Sequence, residues 1–179
     1  MRLFLLIVAV ISIFGASPGF AAVKPSEQQL KAAYLYNFAK FITWPDTAFS
    51  DAEAPMVIGV LGKNPFNGEL HQLTARNVRK RPIEIRYFKS LNELKDCQLL
   101  YIASEDEGEL KSILKSLSTK PLVTVGEGKK FADSGGIIQF VTKRDRLKFI
   151  INLDVAKANG IKIEAQLLSL AVEILETGK

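Results

Sequence analysis

The chain has few of the side chains on which enzymes most often depend. Its 179 residues include one cysteine, Cys97, and one histidine, His71. A single cysteine cannot form a disulfide within the chain, so the hydrophobic core must hold the fold together. A single histidine excludes zinc sites built on several histidines and leaves at most one candidate for a histidine-dependent triad. The sequence also has no GxSxG, Walker A or HExxH pattern, so we expect no catalytic, metal or cofactor site.

Neither sign of charge is in large excess. The chain has 24 Lys and Arg against 19 Asp and Glu, a formal net charge of +5 at pH 7. The densest basic clusters are 76–81, 129–130 and 143–148, and aromatic residues do not alternate with the charges as they do in nucleic-acid grooves. We therefore expect no nucleic-acid partner and interpret the clusters as solvated surface, with weak attraction to acidic partners or phospholipid as the alternative.

The chain has one long apolar run, at its N-terminus. Arg2 precedes about a dozen apolar residues that end at Phe14, and a Gly-Ala-Ser-Pro segment and small residues then lead to Ala21. The run is shorter than the roughly 20 residues that span a bilayer. The order of features predicts a cleavable signal peptide over 1–21 and one exported domain over 22–179. An uncleaved anchor or a buried helix is the alternative.

Short apolar runs alternate with helical patterns along the rest of the chain. Strands are predicted at 56–61, 83–88, 98–102, 121–125, 137–141 and 147–152. Helices are predicted at 66–73, 91–95 with Ser90 as the cap, from Ser104 onward, at 154–158 and at 164–176. This alternation predicts a single α/β domain with a mostly parallel sheet, helices on both faces and an antiparallel C-terminal hairpin.

The segment 31–45 is dense in aromatic residues and ends at a proline. A helical projection places most of its rings on one apolar arc, typical of a helix that packs on a core. Lys31 interrupts that arc, and we expect its side chain to reach water. Tyr36 and Trp44 fall instead on the polar side with Lys40. We predict these three residues to bind a partner, because amphipathic aromatics often anchor interfaces; burial beneath another element is the alternative.

A second candidate is the loop that follows the first predicted strand of the sheet. Ligands of parallel α/β sheets bind beyond the carboxyl ends of the strands, often at a helix N-terminus. Lys63 and Asn64 are therefore predicted to face an anion. The alternative is a strand-to-helix turn built on proline and glycine. The GxG pattern at 126–128 lacks the context of a nucleotide-binding loop, and we interpret the glycines at 135–136 as a turn.

Several short motifs, in order along the chain, resemble those of the YfiR family of periplasmic regulators. They are AAYLYNFAKF at 32–41 with WP at 44–45, VLG at 60–62, NPF at 64–66, RPI at 81–83, LVTV at 122–125, FA at 131–132, GGII at 135–138, and Phe149 with IN at 151–152. The resemblance extends from Lys31 to about Leu170. It departs from the family at Gln98, where histidine is common, and at Lys148, where arginine is common.

The resemblance implies a regulator without enzymatic activity. Such proteins bind the periplasmic region of an inner-membrane diguanylate cyclase and hold it inactive, and an outer-membrane lipoprotein can sequester them. With Cys97 alone, the disulfides of some relatives cannot form, so redox control within one chain is in doubt. The sequence leaves open whether the protein is a homodimer. The alternative function is a periplasmic small-ligand binder that serves a sensor or transporter.

Overall fold

A computed structural model of the protein describes residues 24–104 and 106–177, so the predicted signal peptide lies outside the described residues. The helices are α1 (Glu27–Phe41), α2 (Glu107–Leu117), α3 (Leu153–Ala158) and α4 (Ala165–Leu168). The strands are β1 (Ile42–Thr43), β2 (Met56–Gly62), β3 (Asn77–Val78), β4 (Arg81–Phe88), β5 (Leu99–Ala103), β6 (Val123–Gly126), β7 (Ile138–Lys143), β8 (Arg146–Asn152), β9 (Lys162–Ile163) and β10 (Glu173–Leu175). Short 3-10 helices span Asp46–Ala48, Glu69–Ala75 and Leu91–Glu93.

Eight of these strands form one sheet in the order β10-β8-β7-β6-β5-β2-β4-β3. Every neighbouring pair is parallel except β7 with β8 and β3 with β4. Strands β1 and β9 form a separate antiparallel pair. The predicted α/β fold, with its mostly parallel sheet, is confirmed.

The sheet is covered on both faces because its central strands are apolar on both sides. On β5, Leu99 and Tyr101 belong to a core shared with α1, while Leu100 and Ile102 belong to a second core shared with α2. Helix α1 begins with a capping box between Ser26 and Gln29, which satisfies two backbone N–H groups at its N-terminus. Helices on opposite faces thus complete two hydrophobic layers, as the apolar runs predicted.

The predicted hairpin is β7 and β8, joined by a two-residue turn. Arg144 and Asp145 both have positive φ angles, 52° and 56°. Two successive left-handed residues form the turn type whose twist matches that of antiparallel strands. The strands begin or end within a residue or two of the predicted bounds, and the hairpin is confirmed.

The predicted helix over 164–176 is wrong in its second half. Helix α4 ends at Leu168, and β10 then adds to the edge of the sheet in parallel with β8. The backbone N–H of Val172 donates to the Phe149 carbonyl over 3.0 Å and starts this pairing. Pairing with the open edge of β8 therefore takes precedence over the local helical pattern of this segment.

Helix termini also differ from the predicted ones. Asp106, not Ser104, caps α2, and its carboxylate accepts from the Glu109 N–H over 2.7 Å. Ser90 makes no capping hydrogen bond with its side chain. The helix expected over 66–73 is the 3-10 helix at Glu69–Ala75. These differences are local and leave the order of elements unchanged.

The aromatic segment is a helix only as far as Phe41. Ile42 then takes an extended conformation, and β1 pairs with β9. This pairing, rather than Pro45, ends the helix, because β-branched residues suit an extended strand. The positions of residues beyond Phe41 therefore do not follow a helical projection.

Candidate functional site

Trp44, one of the three predicted partner-binding residues, lies in the core. Trp44 is 7% exposed, and its indole Nε1–H donates to the Gln98 carbonyl over 2.8 Å. The projection that placed Trp44 on the polar side of α1 is wrong, because the helix has ended three residues earlier. The polar end of the ring is satisfied inside the protein, as buried tryptophan requires.

Gln98, which receives that hydrogen bond, joins three segments through its own polar atoms. The residue is 2% exposed. Its side-chain Oε1 accepts from the Val57 N–H over 2.8 Å, and its Nε2 donates to the Ala48 carbonyl over 2.6 Å. The side chain thus satisfies a buried backbone donor and a partly buried backbone acceptor.

Tyr36 and Lys40 lie on the surface as predicted, beside Arg76, which the sequence placed in a basic cluster but not among the candidate site residues. The Arg76 guanidinium carbon lies 4.9 Å from the Tyr36 ring centroid, and the Lys40 Nζ lies 5.6 Å from the same centroid. Both cations are within the range of a cation–π interaction. The ring is half-buried, so part of it is available to another molecule.

These residues line a groove between α1 and the 3-10 helix Glu69–Ala75, which we call the α1 groove. Its volume is about 490 Å³, and its lining residues are Gln29, Ala32, Ala33, Tyr36, Asn37, Lys40, Glu69, Gln72, Leu73 and Arg76. The Glu69 carboxylate accepts from the Gln29 and Gln72 amides over 3.3 and 2.8 Å. The Glu69 carboxylate therefore has two amide donors as its hydrogen-bond partners. Within the described ranges, neither groove cation forms an ion pair.

A second concavity, which we call the switch-point cleft, opens at the carboxyl ends of β2, β5 and β6. Its volume is about 630 Å³. From β2 the chain passes to β4 on one side and then to β5 on the other, so the cleft lies where the strand order reverses. Open parallel sheets bind ligands at such points. The lining residues include Lys31, Lys63, Asn64, Tyr101, Ser104, Glu127, Lys129, Lys130 and Phe131.

Lys31 lies at the inner end of this cleft and is only 7% exposed, so the expectation that its side chain reaches water is wrong. Its Nζ lies 2.6 Å from a carboxylate oxygen of Glu27 and 2.6 Å from one of Glu127. Burial disfavours the charged ammonium, but the hydrogen bonds to the two carboxylates outweigh it and raise the pKa of Lys31. The two carboxylates therefore favour the charged form of Lys31 despite its burial.

Tyr101 joins this network through Glu127, whose side chain is partly exposed. Its hydroxyl donates to the Glu127 carboxylate. Burial, and then the hydrogen bond to Glu127, raise the pKa of Tyr101 well above its ordinary value. The phenol therefore stays neutral and acts as a hydrogen-bond donor rather than as a base. Local sequence gives no signal for the network, because its members lie on α1, on β5 and after β6.

Lys63 and Asn64 lie at the rim of the cleft and are exposed. The Asn64 Oδ1 accepts from the Phe66 N–H over 2.9 Å, which is the geometry of a side-chain-supported turn. Asn64 therefore shapes the strand-to-helix connection. Contact of Lys63 or Asn64 with an anion stays a prediction.

Phe131 forms part of the wall, and two glycines make room for its ring. A Cβ atom on Gly126 or on Gly136 would lie 2.1 Å from a ring carbon of Phe131. Gly126 belongs to the GxG pattern and Gly136 to the turn noted in the sequence. Together they allow the Phe131 ring to pack between them. Their role here is steric and does not require a bound phosphate.

The remaining nucleophilic and metal-binding side chains form no reactive cluster in the described part of the chain. The Cys97 Sγ–H donates to the Leu99 carbonyl over 3.3 Å, and burial raises the pKa of the thiol to about 12. The thiolate is therefore not the form present at neutral pH. His71 is exposed on a 3-10 helix. Among residues 24–104 and 106–177, His, Cys, Asp and Glu form no group of three that could bind a metal ion.

Comparison with known families gives one match over most of the chain. A family described as YfiR/HmsC-like matches residues 28–172. The match includes α1 except for its first residue, the whole eight-stranded sheet except for β10, and both concavities. None of the described helices has the length and apolar character needed to cross a membrane.

A solved structure has a distant likeness to the chain. It is an ABC domain from Streptococcus pneumonia in complex with L-Trp, with 13% sequence identity and a TM-score of 0.47. The superposition covers 66% of this chain and 55% of that one, so the chain spans about half the length of that domain. The bound L-Trp is a property of that domain.

Proposed function

The chain belongs to the YfiR/HmsC-like family of periplasmic regulators, and we propose that it represses an inner-membrane diguanylate cyclase by binding the periplasmic region of that enzyme. Repression would keep cyclic di-GMP low. The signal peptide proposed over 1–21 would deliver the protein to the periplasm. An outer-membrane lipoprotein that competes for the same protein would relieve the repression.

The α1 groove is the surface that best supports binding of a protein partner. Tyr36 offers an amphipathic ring, and Arg76 and Lys40 place two cations against that ring. Aromatic and arginine side chains are enriched among the residues that carry most of the energy of an interface. Because the two cations have no ion pair among the described residues, a partner that presents a carboxylate beside an apolar side chain would fit the groove.

Deletion of the gene tests the proposed repression in the cell. We expect cellular cyclic di-GMP and biofilm mass to rise several-fold in the deletion strain, because the cyclase would lose its inhibitor. A plasmid copy of the native gene should restore the low level, and a copy without codons 2–21 should not, because the protein would stay in the cytoplasm. Cyclic di-GMP measured by mass spectrometry that does not change on deletion would contradict repression.

Substitutions in the α1 groove test the proposed interface. Tyr36→Ala and Arg76→Ala are each expected to weaken binding to the periplasmic region of the cyclase by about 2 kcal/mol, roughly a 30-fold rise in Kd. Binding should also weaken with increasing salt, since charged side chains take part. The measurement is titration calorimetry with the two purified proteins.

Tyr87→Ala is the matched control for these variants. Tyr87 is also an exposed aromatic residue, 51% accessible, but it lies on β4 outside the groove. We expect its replacement to leave the Kd within about twofold of the native value. Equal changes in Kd for the Tyr36 and Tyr87 variants would contradict an interface at the α1 groove.

A further inference from the structure

The switch-point cleft has the position and the size of a small-molecule binding site. It lies beyond the carboxyl ends of β2 and β5, where the strand order reverses. Its volume of about 630 Å³ is within the range of pockets that enclose small organic molecules. The wall combines apolar side chains, Ile102, Leu110 and Phe131, with polar groups at the inner end and the rim.

The inner end of the cleft holds a buried donor with unused capacity. An ammonium group has three N–H donors. The carboxylates of Glu27 and Glu127 accept from Lys31, and the structure gives the Lys31 Nζ no third partner among the described residues. Lys31 is buried and lines the cleft, so the third N–H is available to an acceptor that enters from there. A ligand oxygen satisfies this requirement.

The rim carries three further cations. Lys63 follows β2, and Lys129 and Lys130 follow β6, so the loops after the two strands that flank β5 bring them to one opening. All three are exposed, and none forms an ion pair within the described ranges.

Acidic residues also line the cleft, but they are partly committed to other contacts. Asp106 caps α2 through the Glu109 N–H, and Glu127 is bound to Lys31 and Tyr101. Glu107 lies in the first turn of α2, where a carboxylate stabilises the helix. The lining thus has four lysines against three carboxylates, a small excess of positive charge, and three of the lysines are exposed.

We propose that the switch-point cleft binds a small molecule that carries a carboxylate or phosphate group on an apolar body. The oxyanion lies among Lys63, Lys129 and Lys130, and the body contacts Ile102, Leu110 and Phe131. An oxygen that reaches the inner end accepts the third N–H of Lys31. The site is separate from the α1 groove, so ligand binding and partner binding can succeed or fail independently.

Titration calorimetry and thermal unfolding of the purified protein, with no partner present, test this site. The probes are phenyl phosphate and 3-phenylpropionate, with 2-phenylethanol and 2-phenylethylamine as neutral and cationic compounds of similar body. We expect at least one anionic probe to bind and to raise Tm, because a ligand that binds only the native state stabilises it. We expect at least tenfold weaker binding of the neutral and cationic compounds. Comparison of the two anionic probes distinguishes phosphate from carboxylate recognition.

A matched pair of triple variants localises the binding. Lys63→Gln/Lys129→Gln/Lys130→Gln removes the rim cations, while Lys111→Gln/Lys115→Gln/Lys120→Gln removes the same charge from exposed positions outside the cleft. We expect the first variant to lose at least tenfold in affinity and the second to stay within twofold. The proposal is overturned if the native protein binds neither anionic probe, if the neutral compound binds as tightly, or if both variants lose affinity equally.

Discussion

Replacing Trp44 by alanine is expected to lower the free energy of unfolding by about 3–5 kcal/mol, the usual cost of removing a large buried aromatic side chain. The substitution leaves a cavity beside the sheet. It also removes the indole N–H that donates a hydrogen bond to the Gln98 carbonyl. Urea unfolding followed by far-UV circular dichroism measures the loss, since Trp44 is the only tryptophan and its fluorescence disappears with it.

Two controls separate burial from a role in binding. Tyr87→Ala removes an exposed ring and should cost about 0.5 kcal/mol or less. Trp44→Phe keeps most of the volume but not the indole N–H, so its cost should lie between the two. A Trp44→Ala protein that unfolds at the native urea midpoint would contradict the buried position of the ring.

Replacing Gln98 by leucine is expected to cost about 2–4 kcal/mol. Leucine has a similar size, but the buried Val57 N–H and the partly buried Ala48 carbonyl would lose their partners. Each buried polar group left unsatisfied costs about 1–3 kcal/mol. Thermal and urea unfolding of the purified variant measure the effect.

Gln98→His is the conservative control for this position. A neutral imidazole has one nitrogen that accepts and one that donates, so it can satisfy the same two backbone groups. We expect histidine to retain more than half of the stability that leucine loses. A histidine variant as unstable as the leucine variant would show that the amide acts through packing rather than through its hydrogen bonds.

The order of elements could be predicted from the sequence because local patterns encode it. The apolar runs that became β2, β5 and β6 are bounded by turn residues, and the α2 pattern has Leu110, Ile113, Leu114 and Leu117 on its buried face. Residues 142–146 predicted the turn between β7 and β8. Each of these signals lies within a dozen consecutive residues, and local propensity acts over that distance.

The candidate sites were less predictable because contacts between distant segments form them. Tyr36 and Lys40 could be proposed from the face of one helix, but Arg76 joins them from the end of a 3-10 helix that no periodicity connects to α1. Lys63 could be proposed from its place after β2. The pairing of the buried Lys31 with the partly exposed Glu127 brings together residues that are far apart in the chain.

The sequence by itself determined the α/β class, the hairpin and the family, since these depend on composition, periodicity and short ordered motifs. The tertiary structure alone decided which side chains are buried and which are exposed. It directed Trp44 inward to a carbonyl 54 residues away, turned residues 173–175 into an edge strand, and enclosed Lys31 between two carboxylates. The physical reason is that burial and hydrogen-bond partners depend on the packing of the whole chain, whereas a local pattern reports only the preference of its own segment.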